Sequence, residues 1–304
     1  MRVIDDGERL TERFERDRGH LRAVAYRMLG SLAEADDALQ EAWLRANGAG
    51  IAGVENLGGW LTTVVSRVCL NMLRSRDRRR EDSLDARPYE PDAGPDSGLG
   101  PAGRDPEAEA LMADSVGVAL LVVLDTLAPA ERLAFVLHDM FAVPFEDIAS
   151  LLERTPAAVR QLASRARRRV KGGAAAAEAD VARQRPVVEA FLAATRGGDL
   201  EALVALLHPD VVLHADRMVV PTPEPITVSG GRAVAQGAMA AVGRARFTGL
   251  ALVDGTIGLA MAPLGRLRVV LTFTVADGMI TAIDVVAEPD RLEAMEFGAL
   301  DFGE

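Results

Sequence analysis

Arginines are the residues of this 304-residue sequence whose type and spacing best suit a chemical task. That task is contact with nucleic acid. Seven basic residues and no acidic one occur between Arg154 and Lys171. Small and apolar residues recur there at helical spacing and would pack inward. The polar residues left facing outward are Arg160, Gln161, Ser164, Arg165, Arg167 and Arg168. Arg and Gln at such positions can bind guanine or adenine through paired hydrogen bonds, for about 1–3 kcal/mol each.

A second helix is expected directly before this one, from Phe145 to Leu152, with its apolar residues on one face. Thr155 and Pro156 then supply the start signal of the basic helix, as N-cap and first helical residue. Two helices joined by so short a turn predict a helix-turn-helix whose second helix enters a major groove. An amphipathic surface helix with a solvated basic face is the alternative.

A long helix from Trp60 to Arg80 carries a second polar stripe. Its members follow spacings of four, four, three and four residues: Thr63, Arg67, Asn71, Arg74 and Arg78. Five arginines fall between positions 74 and 80. Basic residues beside Thr and Asn along one helix face are typical of a nucleic-acid track. A solvated basic helix end would show the same pattern.

The helix expected at Ala33–Ala46 has an acidic and amide face, with Ser31 as its N-cap. Its outward residues include Asp37, Gln40 and Glu41, whereas Trp43 belongs to the buried stripe. Such a face is either solvated or a docking surface for another protein.

Charge is distributed unevenly along the chain, whose net value is −11. Residues 1–80 hold 14 basic and 12 acidic residues, and residues 116–172 hold 8 and 6. Residues 81–115 hold 2 basic and 10 acidic residues, and within them 81–110 is rich in proline and glycine, which predicts an acidic linker. The local field governs phosphate binding more than the total charge does, so an acidic chain can still bind DNA through its basic helices.

Several classes of protein are disfavoured by the sequence. No run of about 18 apolar residues occurs, so we expect no membrane contact. The charged N-terminus is unlike a secretory signal, and the single cysteine, Cys69, lies in an apolar helical stretch. We therefore expect a cytoplasmic protein with a buried thiol, and neither a metal nor a cofactor.

Residues 186–304 differ from the rest in pattern. Helices are expected at Pro186–Thr195 and Asp199–Leu207, followed by alternating β-branched stretches, with Asp277-Gly278 as a hairpin turn. This predicts an α+β domain with one curved antiparallel sheet. Its polar candidates are His208 at a helix end and, as lining of a pocket, His214, Asp216 and Asp284. A pocket-lining or satisfied histidine fits better than a catalytic one, and we assign no catalytic residue.

Residues 1–172 resemble a bacterial sigma factor of the extracytoplasmic-function class. The stretches AEADDALQEAWLRA and WLTTVVSRVCLNMLRSRDRRR resemble sigma region 2, and LAPAERLAFVLHDMFAVPFEDIASLLERTPAAVRQLASRARRRV resembles region 4. Residues 186–304 resemble a SnoaL-like domain, a cone-shaped α+β fold. The resemblance implies region 2 at 1–80, a linker at 81–110, region 4 at 111–172 and the SnoaL-like domain at 186–304, that is, two all-α domains and one α+β domain.

The resemblance also implies partners, core RNA polymerase and promoter DNA, and roles for residues. Polymerase docking is implied for Asp37, Gln40, Glu41 and Trp43. Contact with the −10 element is implied for the helix bearing Arg67, Asn71 and Arg74. Reading of the −35 element is implied for Arg160, Gln161, Ser164 and Arg165. The C-terminal domain would then modulate activity, with a small ligand in its cavity as a further expectation.

Two alternatives stay open at this point. One is a ligand-responsive helix-turn-helix regulator that needs no polymerase. The other is a SnoaL-like cyclase or hydratase fused to a DNA-binding module.

Overall fold

The structure is a computed structural model that describes residues 2–86, 117–172, 178–220, 222 and 224–300. The described residues divide into two compact units: one holds residues 2–86 and 126–167, and the other holds residues 117–125 and the described residues from 168 to 300. Residues 87–110 of the expected linker lie outside the described residues.

The first part of the chain is helical. Its helices are α1 (Arg2–Leu29), α2 (Leu32–Ala49), α3 (Leu57–Ala86), α4 (Val118–Thr126), α5 (Pro129–Phe135), α6 (Phe145–Leu152) and α7 (Pro156–Val170). A π-helical turn, Val136–Met140, follows α5 directly.

Helices α1 to α3 form a bundle around apolar side chains at helical spacing. Leu21, Met28 and Leu61 are among its fully buried members. Gly30 ends α1 with a φ of 79°, and the Ser31 hydroxyl caps α2 by accepting from the Glu34 amide at 3.5 Å. The expected α2 and α3 are confirmed, and α3 runs beyond its expected end at Arg80.

The helix-turn-helix is formed by α6 and α7. The Thr155 hydroxyl accepts from the Ala158 amide at 3.2 Å, as expected of an N-cap. At the turn, Glu153 takes a φ of 56° and a ψ of 45°, the left-handed conformation that ends many helices. Ile148, Val159 and Ala166 are fully buried between the helices of the first unit.

The second unit holds a seven-stranded sheet in the order β2-β1-β6-β5-β4-β3-β7. The strands are β1 (Leu207–Ala215), β2 (Ile226–Ser229), β3 (Thr248–Val253), β4 (Thr256–Met261), β5 (Val269–Ala276), β6 (Met279–Val286) and β7 (Phe297–Gly298). Its helices, apart from α4, are α8 (Glu178–Gly197), α9 (Leu200–Leu206), α10 (Gly231–Met239), α11 (Val242–Ala245) and α12 (Pro289–Ala294). Helices α8 to α10 contribute to one apolar core with one face of this sheet.

The expectation of a purely antiparallel sheet is wrong at one pair of strands. β1 and β6 run parallel, with Leu213 beside Ile283, while the other paired strands are antiparallel. The chain between β1 and β6 includes two helices and four strands, which is long enough to return it in the same direction. The Asp277-Gly278 turn between β5 and β6 is confirmed, with positive φ at both residues.

Two other expectations need correction in this unit. Pro186 lies inside α8 instead of opening it, because the residues before it are already helical from Glu178. His208 lies in β1, since α9 ends at Leu206 and the strand begins at once.

Candidate nucleic-acid interface

The polar stripe on α3 is exposed along the helix. Arg67, Asn71, Arg74 and Arg78 are exposed, and Thr63 is half-buried. The Thr63 hydroxyl donates to the Gly59 carbonyl at 3.1 Å, so its oxygen keeps a lone pair for a further contact. The structure thus places all five residues at the spacing that the sequence indicates, in a row that a nucleic-acid backbone could follow.

Helix α7 presents the second row. Arg160, Gln161, Ser164, Arg165 and Arg168 are all exposed, whereas Val159, Leu162, Ala163, Ala166 and Val170 are buried. The exposed residues therefore occupy one face of the second helix of a helix-turn-helix, where base edges are read.

Three arginines of α7 form ion pairs with carboxylates of other elements in the same unit. Arg160 Nη2 lies 3.2 Å from Glu146 Oε1, at the start of α6. Arg165 Nε lies 3.0 Å from Glu131 Oε1 on α5. Arg167 Nε lies 2.6 Å from Asp139 Oδ1 in the π-helical turn. The sequence did not reveal these carboxylates, because each comes from an element separate from α7.

Aromatic rings support the start of α6. The ring of Phe145 stacks on His138, with centroids 3.7 Å apart, and Arg160 lies over Phe145 at 5.4 Å. Arg160 thus lies beside a ring and the carboxylate of Glu146, but both members of that ion pair are more than half exposed, so the pair restricts Arg160 little.

The acidic and amide face of α2 is exposed and contains an apolar residue that the sequence did not single out. Asp37, Gln40 and Glu41 are exposed, and Leu44 continues the same stripe with 66% of its surface accessible. An apolar centre with a polar rim is typical of protein-binding surfaces. Its spacing of three from Glu41 would have allowed its detection.

Trp43 occupies a different position from these residues. It is half-buried, and its ring packs at 5.1 Å from that of Phe14 on α1. Asp36, next to Asp37, accepts two hydrogen bonds from Arg22 at 2.8 and 2.7 Å and so links α2 to α1. These two residues shape the bundle beneath the exposed stripe.

A groove of about 280 Å³ lies between α2 and α3. Glu41 and Arg45 line it from α2, and Asn71 lines it from α3. The groove therefore separates the acidic stripe of α2 from the polar stripe of α3 within one bundle.

The candidate residues of the C-terminal domain do not converge on one site. His214 and Asp284 are exposed and stand next to each other on β1 and β6. Their neighbours Leu213 and Ile283 face the core instead, so the two polar side chains lie on the opposite face of the sheet. The His214 ring Nδ1 lies 3.2 Å from the Thr227 hydroxyl.

Asp216 is buried and has a structural part in this domain. Its carboxylate accepts from the amides of Met218, Ala287 and Glu288 at 3.0, 2.7 and 2.9 Å, and Arg291 lies 3.8 Å away. It thereby ties the end of β1 to the segment after β6. A small ligand for this domain stays a prediction.

Among the residues that the structure describes, two ionisable groups have perturbed pKa values, both through burial. Burial raises the pKa of the Cys69 thiol, which agrees with the expected core position. Burial lowers the pKa of the Arg27 guanidinium, an effect that Tyr26 partly opposes. In the described parts of the chain, no helix is long and apolar enough to cross a bilayer, and no three His, Cys, Asp or Glu side chains are grouped to hold a metal.

Comparison with known proteins agrees with this geometry. Residues 13–79 match the model of sigma-70 region 2, and residues 117–170 match that of sigma-70 region 4. The ECF RNA polymerase sigma factor SigJ of Mycobacterium tuberculosis is 38% identical over 296 residues, which cover 91% of each chain. The probable ECF sigma factor SigI of the same species is 37% identical over 199 residues, covering 66% of this chain and 67% of the relative. The crystal structure of SigJ matches with a TM-score of 0.43 at 36% identity, over 92% of this chain and 97% of that one.

The basic helix-turn-helix and the helical bundle with its exposed polar stripe thus belong to a transcription initiation factor. The chain is a member of the extracytoplasmic-function family of RNA polymerase sigma factors, and an α+β domain follows its region 4. Its homologues are sigma factors, which are not enzymes.

Proposed function

We propose that this protein binds core RNA polymerase in the cytoplasm and directs it to promoters through two separate DNA contacts. The α2 stripe of Asp37, Gln40, Glu41 and Leu44 docks on the polymerase. The α3 stripe contacts the −10 element, and the exposed face of α7 reads the −35 element.

The observation that carries this proposal is the presence of two exposed polar rows on one compact unit. A simple repressor needs one reading helix, whereas α3 and α7 both expose arginines beside Asn, Gln, Ser or Thr. Each row alone is a modest binding surface. When one large partner holds both, each contact raises the effective concentration of the other.

Reconstitution with core polymerase tests the proposal. Purified core polymerase supplied with this protein should initiate transcription at new, discrete positions of a genomic DNA library. Mapped starts should share one sequence motif upstream at −10 and another at −35. If the protein neither co-purifies with core polymerase nor changes the set of start sites, the proposal is wrong.

We also propose that the C-terminal domain modulates promoter use through the end of α7. The last residues of α7 belong to the same unit as the sheet, and the carbonyl of Val170 accepts from the amide of Ala299 at 2.8 Å. Gly172 and Gly298 lie so close that a Cβ on Gly298 would stand 2.8 Å from the Gly172 Cα.

Substitution at this close approach tests the modulating role in the whole chain. Gly298→Ala should force the two segments apart and change the yield of promoter-dependent transcripts. Gly237→Ala is the matched control, because a Cβ there meets nothing within 4 Å. Equal transcript yields from the two variants and the wild type would contradict a modulating role.

A further inference from the structure

The guanidinium groups of α7 are oriented by carboxylates that no sequence pattern marks. Arg165 and Arg167 both approach a carboxylate through Nε, at 3.0 and 2.6 Å. The Arg167 Nε–H donates a hydrogen bond to Asp139, whereas Arg165 and Glu131 form an ion pair in which Nε is the nearest guanidinium atom, so each arginine turns that edge toward an acid. The Nη edge is then available to form two parallel hydrogen bonds with a guanine or a phosphate.

Burial makes two of the three carboxylates firm anchors. The side chain of Glu131 is 11% exposed and that of Asp139 is 17% exposed, whereas that of Glu146 is 64% exposed. An ionised carboxylate shielded from water depends on its cationic partner, and an exposed one does not. Glu131 and Asp139 therefore restrict the rotamers of Arg165 and Arg167 far more than Glu146 restricts Arg160.

Restricted arginines discriminate between sequences better than mobile ones. A side chain already held in its bound geometry loses less conformational entropy on contact with the correct base. A carboxylate beside the helix also repels phosphates, which weakens binding to DNA that offers no compensating base contact. Both effects raise the ratio of the affinity for the correct site to the affinity for other DNA.

We propose that Glu131 and Asp139 are positioning residues that confer −35 selectivity on α7 by holding Arg165 and Arg167 through Nε. This inference rests on the proposed function, since it assumes that α7 reads the −35 element. Glu131 contacts the arginine and not the DNA in this proposal, so its substitution changes selectivity without removing a base contact.

The experiment compares promoters that share a −10 element and differ only at −35. The full-length protein with core polymerase is titrated onto a mapped promoter and onto the same promoter with a scrambled −35 element, and the ratio of the two affinities is the selectivity. If the wild-type protein shows no selectivity, the reading role of α7 in the proposed function is wrong. The selectivity of the wild-type protein is therefore measured first, and it tests the proposed function separately from the inference.

Given a selective wild type, Glu131→Gln should lower the selectivity by about fivefold or more and raise the affinity for the scrambled promoter. Asp139→Asn should act in the same direction. Glu146→Gln is the matched control, because both members of its pair are exposed, and it should stay within about twofold of the wild type. Unchanged selectivity in Glu131→Gln would overturn the inference.

A double substitution separates positioning from a merely structural role. Arg165→Lys removes the planar guanidinium group, so this variant should lose selectivity by itself. Adding Glu131→Gln to Arg165→Lys should change the selectivity little further. If Glu131 only supported the fold, its substitution would lower both affinities alike and would do so equally in the Arg165→Lys background. That result would also overturn the inference.

Discussion

The guanidinium of Arg132 donates a 2.9 Å hydrogen bond from Nη1 to the carbonyl oxygen of Met28. Arg132 lies on α5 of region 4, and Met28 lies in the last turn of α1 of region 2. Both residues are buried. The helix dipole favours a cation at the C-terminus of α1. Here that cation is Arg132, which belongs to region 4, whereas α1 belongs to region 2.

Phe141 adds a second contact between regions 2 and 4. Its ring lies 5.2 Å from the Arg27 guanidinium and 5.2 Å from the His20 ring, and both of these residues are on α1. The two DNA-binding regions are therefore joined by a buried charged hydrogen bond and by an aromatic contact.

We expect Arg132→Ala to lower the free energy of unfolding by about 1.5–3 kcal/mol, because it leaves the buried Met28 carbonyl without a charged donor. Urea denaturation followed by tryptophan fluorescence measures this, since Trp43 and Trp60 both lie in the region 2 bundle. Arg154→Ala is the control at an exposed arginine and should stay within about 0.5 kcal/mol of the wild type. Equal unfolding curves for the two variants would show that the hydrogen bond between Arg132 and Met28 contributes nothing to stability.

Leu44→Asp should reduce the affinity for core polymerase by at least about tenfold, because it places a charge at the apolar centre of the proposed docking stripe. The thermal midpoint should not fall, since the side chain is already 66% exposed. Fluorescence anisotropy of the labelled protein with core polymerase gives the affinity. Val220→Asp makes the same change at another exposed apolar residue and should leave the affinity unaltered. Similar losses in both variants would contradict a docking role for Leu44.

Glu153→Gly should stabilise the helix-turn-helix by about 0.5–1 kcal/mol. Glu153 has a φ of 56°, which costs a residue with a Cβ more than it costs glycine. Ser150→Gly, in the interior of α6, should instead destabilise by about 1 kcal/mol, since glycine gains nothing there. Thermal unfolding of the two variants beside the wild type measures both effects. A loss of stability in Glu153→Gly would mean that the Glu153 side chain has a contact worth more than the backbone strain.

The exposed rows of α3 and α7 could be predicted from sequence because they depend only on helical periodicity. Arg67 and Asn71 are four residues apart, and so are Arg160 and Ser164, which places each pair on one face of any helix. The carboxylate partners could not be predicted in this way. Asp139 precedes Arg167 by 28 residues, and the intervening chain forms a π-helical turn, a loop and α6, whose packing sets the contact.

The sheet was harder to predict than the helices, for two reasons. β3 and β4 contain glycine and alanine as well as branched residues, so the alternation of residue types along these strands is weak. Asp254-Gly255 between them is nevertheless a turn signal like Asp277-Gly278. The parallel pairing of β1 with β6 joins segments that are far apart in sequence, and strand pattern alone does not give direction. His214 and Asp284 become neighbours only through that pairing.

Gly249→Ala should destabilise the second unit by about 1–3 kcal/mol, because it overpacks a close contact between the sheet and α4. A Cβ at Gly249 on β3 would stand 2.8 Å from the Cβ of Val118, the first residue of α4. Residues 118–124 of α4 are all buried, so the helix is apolar on every side and has no exposed face toward which it could shift. Gly243→Ala is the matched control, since a Cβ there meets nothing within 4 Å. Differential scanning calorimetry should show a lower midpoint for Gly249→Ala alone. Equal midpoints would mean that α4 moves aside at little cost, and therefore that its docking on the sheet adds little to the stability of this unit.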